Sequence, residues 1–316
     1  MRKIFMMAFT LLCAVGTTVA QKALPGRFTV NSNGDQVMFA SGNLQFRAST
    51  GTWRFAQNQY DTIGADNRFV SSTYDGWIDL FGWGTSGWNG GAEAWQPWAT
   101  SIYYSDYFPG GDYQNDLTGA CANADWGVYN ADQLGEGWRT LTGDEWYYIL
   151  AQRKDAWSLN SQATVCGIHG YIFLSDGFVL PEGLSWEDQA ADWTTDVYDA
   201  QEWQRMETNG ALFLPAAGYR EGTDVLVVNE GGDYVSSTCP DQYGIDHLFF
   251  NEKYSGMSHC CRHDARSVRL VHAADVLTSV ETLQNPVADI RKIFRNGQML
   301  ILHNDRVYTL QGTQIK

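Results

Sequence analysis

The chain is poor in positive charge. Its 316 residues carry 21 Lys and Arg against 36 Asp and Glu, a formal net charge of -15. That deficit excludes a nucleic-acid binder working by phosphate neutralisation, because no basic surplus exists to release counterions. It equally excludes docking on an anionic membrane surface. Charged residues make up only 18% of the chain and apolar residues 44%, so the composition is not that of a disordered segment. Beyond the N-terminus no apolar run is long enough to cross ~30 Å of hydrocarbon. No repeat of fixed period is present. A G-x-S-x-G nucleophile elbow is also missing; Gly84-Thr85-Ser86-Gly87 has the wrong spacing. No motif singles out one acid–base pair among so many carboxylates.

The ends of the chain differ from its middle. Arg2 and Lys3 precede an apolar stretch, Ile4 to Val15, and Thr18-Val19-Ala20 supplies the small residues of a cleavage site. Residues 1–20 therefore read as a signal peptide, too short in its apolar part to be a membrane anchor. Leu12 before Cys13 is too bulky for a lipobox. Removal of the leader leaves Cys121, Cys166, Cys239, Cys260 and Cys261. Five is odd, so one thiol at least stays free or pairs between chains. A chain of this length buries a core without staples, and the cysteines read as small apolar packing residues with at most one bridge.

Residues 276–289 form a polar linker broken by Pro286. Two apolar runs follow, Ile290 to Phe294 and Met299 to His303, with Asn296-Gly297 between them as a hairpin turn signal. Val307 to Leu310 is a third. The stretch KIFRNGQMLILHNDRVYTLQGTQIK resembles the C-terminal sorting tails of proteins exported by the type IX secretion system of Bacteroidota. The resemblance implies export across the outer membrane, to the medium or the cell surface. A small β-hairpin module without an address function is the other reading of 290–316.

What the middle of the chain has in excess is tryptophan, 13 copies, and glycine, 32. Strands are expected where Val37 and Phe39, Leu44 and Phe46, and Trp53 and Phe55 alternate with neighbours of the opposite face. Ala48 to Gly51 turns the last two into a hairpin. Further short strands are expected at Tyr171–Leu174, Phe178–Leu180, Leu212–Leu214, Val225–Val228, Tyr234–Ser237, His247–Phe250 and Ser267–Val271. Two helices carry capping boxes. Thr142 and Glu145 open one whose apolar face is Trp146, Ile149 and Leu150. Asp199 and Glu202 open the other, with Trp203 and Met206 on one face and Gly210 as the stop. The pattern is α+β: short antiparallel strands, two main helices and long loops in residues 21–275.

The tract 74–113 lacks periodicity and holds Trp77, Trp83, Trp88, Trp95 and Trp98 with five tyrosines. Loops this long are either functional or held by their own side chains. Two readings stand. Indole faces stack on sugar C–H surfaces while Asn, Asp and Ser fix hydroxyls, or the tryptophans pack the loops onto the core.

Four segments in order carry a second resemblance. Gly137-Trp138-Arg139-Thr140-Leu141-Thr142-Gly143-Asp144-Glu145-Trp146 resembles the GWRLPT-x-x-EW motif of the formylglycine-generating, or sulfatase-modifying factor, type of C-type lectin-like fold. Gly210 to Arg220, Asp233 to Thr238 and Ala265 to Val271 are similar to its later strands. Order and spacing are similar to Bacteroidota paralogous domains, including the Fibrobacter-type major paralogous domain, over roughly 34–271. The resemblance implies a C-type lectin-like domain. It also implies that Trp138 and Trp146 pack the core while Arg139 and Glu145 pair or cap. Thr140, Gly143 and Val235 depart from the pattern. The fold hosts enzymes, lectins and protein-binding modules alike, so it does not name a function.

Oxygen-dependent formylglycine generation uses two nearby cysteines that hold copper. The only close pair here, Cys260-Cys261, is adjacent in sequence, and adjacent strand side chains point to opposite faces. His259-Cys260-Cys261-Arg262-His263 is rich in metal-ligating types but has no established zinc spacing, so it reads as a loop of incidental donors. Gln96-Pro97-Trp98 and Pro240-Asp241-Gln242 only graze the sugar motifs of calcium lectins. No cofactor is expected, and the acidic surface leaves room for a structural calcium.

The sequence thus leads to a secreted or surface-displayed, non-catalytic module that binds a glycan or a protein through aromatic-rich loops. The platform is the set 75–113 with 235–262, and Trp83, Trp88, Trp95, Tyr104 and Tyr243 are its candidate ligand-binding residues. A formylglycine-generating-type oxidoreductase relative and a component of a surface assembly are the alternatives.

Overall fold

The computed structural model describes residues 23–274, and beyond them the strand residues 291–295, 298–303, 306–309 and 314–315 by their backbone. The expected leader, linker and Asn296-Gly297 turn lie outside the described residues. No helix among the described residues is long and apolar enough to cross a membrane.

Several small, mainly antiparallel sheets and a few short helices make the fold α+β. The largest sheet has the strands 255–261, 244–251, 231–235, 266–267 and 80–81 in that order. A four-stranded sheet orders 197–198, 160–165, 168–173 and 212–215, and a three-stranded one orders 28–29, 36–39 and 271–273. The hairpins 44–47/52–55 and 219–221/224–226 stand apart. Strands 291–295, 298–303, 306–309 and 314–315 form a separate antiparallel sheet.

Both capping boxes form as their residue types dictate. Thr142 Oγ1 accepts from Glu145 N at 3.1 Å, and Glu145 Oε2 accepts from Thr142 N at 2.9 Å. Arg139 grips the same carboxylate with two bonds of 2.6 and 2.7 Å. Asp199 likewise accepts from Gln201 N and Glu202 N, and that helix stops before Gly210, whose φ of 101° suits glycine.

The first helix drives Trp146 and Ile149 into a core with Phe28, Phe39, Phe173 and Phe250. A second cluster gathers Phe46, Trp53, Phe81, Trp83, Trp126 and Trp138. A third places Trp203 and Met206 against Ile172 and Phe213. Between them lies the buried Arg269 guanidinium. It donates to Asn43 Oδ1 at 3.0 Å and to the carbonyls of Ala40, Gln59 and Phe213 at 3.2, 3.3 and 3.0 Å. Burial lowers its pKa to about 10, and the four acceptors are what hold a buried cation here.

An expected strand does not form. Phe178–Leu180 is irregular, because Phe178 N closes a turn on Ser175 O at 3.1 Å with Gly177 at φ 69°. The strand Ile168–Phe173 instead pairs with Asn160–Val165, which the sequence pattern did not show. Cys166 and Gly167 join them with φ of 52° and 81°, both positive as a two-residue hairpin turn requires.

Candidate functional site

The platform loops are held from below by a buried arginine. Arg262 has no exposed surface, and its guanidinium carbon lies 5.1 Å from the Trp83 ring centre and 4.9 Å from that of Phe108. Such stacking is worth roughly 2 kcal/mol when desolvated. Its Nη2 donates to Cys239 Sγ at 2.6 Å, to Tyr113 O at 3.4 Å and to Asp241 O. One side chain therefore ties the tract 83–113 to the loop 239–243. Burial lowers the Arg262 pKa and raises that of the Cys239 thiol, against the pull of the neighbouring guanidinium.

Above this clamp the two loops present an aromatic ridge. Tyr104 and Tyr243 meet edge to face, their ring centres 5.0 Å apart at 67°. Tyr104 continues to Phe108 at 6.3 Å, and Phe108 to Tyr113 at 6.2 Å. Tyr104 is 39% exposed and Tyr243 54%. Asp241 orients the Tyr243 backbone by accepting from its N at 2.7 Å, which lowers the carboxyl pKa, and faces His259 Nε2 at 3.2 Å.

Of the five expected platform residues, Tyr104 and Tyr243 come together. Trp83 does not join them. It is 1% exposed and its Nε1 donates to Ser236 O at 2.9 Å, so it packs the core and offers no face to a ligand. Trp88 is half-buried against the second cluster, and Trp95 is half-buried with its carbonyl on Gly87 N at 3.0 Å. These indoles lie on the packing side of the two readings to different degrees, Trp83 wholly.

A cleft of about 500 Å³ elsewhere on the largest sheet was not foreseen. Trp193, Tyr219, Asp233, Phe249, Asn251 and Glu252 line it. Trp193 stacks on His169 at 4.4 Å, and its buried Nε1 makes no hydrogen bond. Asp233 is buried between His247 Nε2 at 3.0 Å and Arg266 Nε at 3.5 Å. Val227 at its rim holds φ 50°, unusual for a β-branched residue. A lone tryptophan in the polar run Ala190 to Asp196 was the available signal.

The His259–His263 segment also differs from expectation. The thiols of Cys260 and Cys261 and a carboxylate oxygen of Asp264 all lie within 4.8 Å of one another. Both cysteines are paired in the strand, Cys260 with Ile245 and Cys261 with Gly244, and Cys261 ends it at a turn closed by Asp264 N on Cys261 O at 3.3 Å, which brings Asp264 to the thiols. Burial, and Cys260 beside it, push the Cys261 thiol up to about 11.

No protein family, curated protein or solved structure matches the chain. Fold and surface alone define it as an α+β protein with an exposed aromatic ridge on clamped loops.

Proposed function

We propose that the chain is a secreted or surface-displayed, non-catalytic module with a C-type lectin-like fold of the sulfatase-modifying factor type, binding an extracellular glycan or protein. The observation that carries this reading is the convergence of Tyr104 and Tyr243, exposed and in ring contact although they come from loops far apart in sequence. Tyrosines held in this way give large contact area with little loss of side-chain freedom, and their hydroxyls stay available to a polar ligand. The half-exposed Asp241 beside them supplies a hydrogen-bond acceptor. The signal-like leader and the sorting-like tail support export.

The formylglycine-generating alternative needs two thiolates for copper. The thiols are close, but Asp264 stands with them and His263 adjoins it. A mixed sulfur, nitrogen and oxygen set suits zinc better than soft cuprous copper, which favours the non-catalytic reading.

The test is a screen of the purified chain against glycan and polysaccharide arrays, with and without calcium. A reproducible hit establishes the lectin-like function. A blank from a folded sample moves the assignment to a protein partner or to self-association, read by its concentration dependence.

A further inference from the structure

The chain carries a second cluster of chemistry-bearing side chains, one turn away from the ridge. Cys260, Cys261 and Asp264 form one triplet whose ligating atoms lie within 4.8 Å of one another. Glu221, His263 and Asp264 form a second with the same spacing, so Asp264 belongs to both. Around a tetrahedral zinc ion with bonds of about 2.3 Å, two thiolates sit roughly 3.8 Å apart. The 4.8 Å limit on the triplets leaves at most about 1 Å of side-chain movement to reach that separation. The His263 Nδ1 is buried and has no hydrogen-bond partner, while its Nε2 lies 3.4 Å from Asp264 Oδ1.

We propose that Cys260, Cys261 and Asp264 bind one divalent cation of the zinc class, and that His263, which meets Asp264 and Glu221, joins them as the fourth donor by a side-chain rotation. The donor types are those of borderline-soft d¹⁰ metals: two thiolates, an imidazole and a carboxylate. On binding, each thiol releases its proton to solvent and becomes a thiolate. Two thiolates and Asp264 contribute three negative charges, and the cation two positive. Arg266, which also faces Asp233, donates from Nη2 to Asp264 Oδ2 at 3.0 Å. That bond also fixes the carboxylate, as outer-sphere partners of metal ligands do.

The site has a structural consequence. It joins the end of the strand Ser255–Cys261 to the turn Cys261–Asp264, and the backbone of Ala265 is paired with Arg220 beside Glu221. Arg262, the clamp under the ridge, is the second residue of that turn and donates its N to Tyr243 O at 3.2 Å. A bound cation would therefore stiffen the base of the aromatic ridge without touching a ligand there.

The experiment uses the full chain, purified reduced and metal-free, titrated with zinc and separately with cobalt. The expected result is one equivalent bound per chain, with thiolate-to-cobalt charge-transfer absorption and two thiols protected by zinc from a disulfide reagent. Cys261→Ser should weaken binding by more than the roughly 10- to 100-fold that loss of an outer-sphere partner costs, and His263→Ala should also weaken it. Cys166→Ser, at an exposed hairpin turn, should leave it unchanged. The proposal is overturned by the absence of stoichiometric binding, by unchanged binding in Cys261→Ser, or by a disulfide joining Cys260 to Cys261 in the exported protein. If the variants do not fold, zinc protection of the wild-type thiols decides alone.

Discussion

A guanidinium with no exposed surface and only neutral acceptors costs free energy unless its surroundings are built for it. Arg262 has two aromatic faces and several acceptors, so the cost is met by the loops it joins. Arg262→Met should lower unfolding stability by roughly 2–4 kcal/mol, through orphaned carbonyls and imperfect filling, and should abolish ligand binding by releasing Tyr243. Chemical denaturation and the binding assay read the two effects separately. A second residue-scale prediction concerns Asp79, buried with Asn67 Nδ2 at 2.7 Å and Ile63 N at 2.9 Å on its carboxylate. Burial raises its pKa to about 6, above the 3.8 of an open chain. The folded state therefore holds the proton more tightly. Its stabilising contribution is complete below about pH 4 and is lost as pH rises through 6, by roughly 3 kcal/mol. Denaturation of wild type and Asp79→Asn at pH 4 and pH 7 should show the difference between them changing by that amount against wild type. A difference independent of pH would contradict it.

Among the elements, those with local chemistry were readable in the sequence. The capping boxes at Thr142 and Asp199 formed because the cap and its reciprocal acid lie within four residues. Thr142→Ala should cost about 1 kcal/mol, measured as a shift in the denaturation midpoint. The hairpin 44–55 and the apolar face of Trp146 and Ile149 were equally legible. What depended on tertiary context was not. The hairpin 160–173 turns on Cys166-Gly167, where Cys166 adopts a positive φ that its type does not announce. The Cys260 and Cys261 thiols meet Asp264 because the strand ends at Cys261 and the turn carries Asp264 back to it. The cleft under Trp193 draws on strands and loops whose meeting no spacing encodes. At the platform, composition marked the right loops, but it could not tell an indole used for packing from a ring left in solvent. Trp83 and Tyr104 sit in one tract, and the partners that hold Trp83 inward, Ser236 O, the second core cluster and Arg262, come from elsewhere in the chain.

At the scale of the whole molecule, the net charge of -15 sets how partners approach. A cationic or neutral ligand meets no long-range barrier, while an anionic one is repelled and binds better as salt rises. Among the candidate platform residues, the fold buries Trp83 in a core cluster and leaves Tyr104 and Tyr243 at the surface. Stability and binding should therefore separate by residue. Trp83→Ala should destabilise by about 3–5 kcal/mol, whereas surface tyrosines can change within about 0.5 kcal/mol. The measurement that tests this division most directly compares wild type with the double variant Tyr104→Ser, Tyr243→Ser in one experiment. It reads thermal unfolding together with affinity for the strongest array hit. A variant that unfolds with the wild-type protein and no longer binds is the predicted result. Undiminished binding by a folded double variant would contradict the account and place the ligand elsewhere, first in the cleft under Trp193.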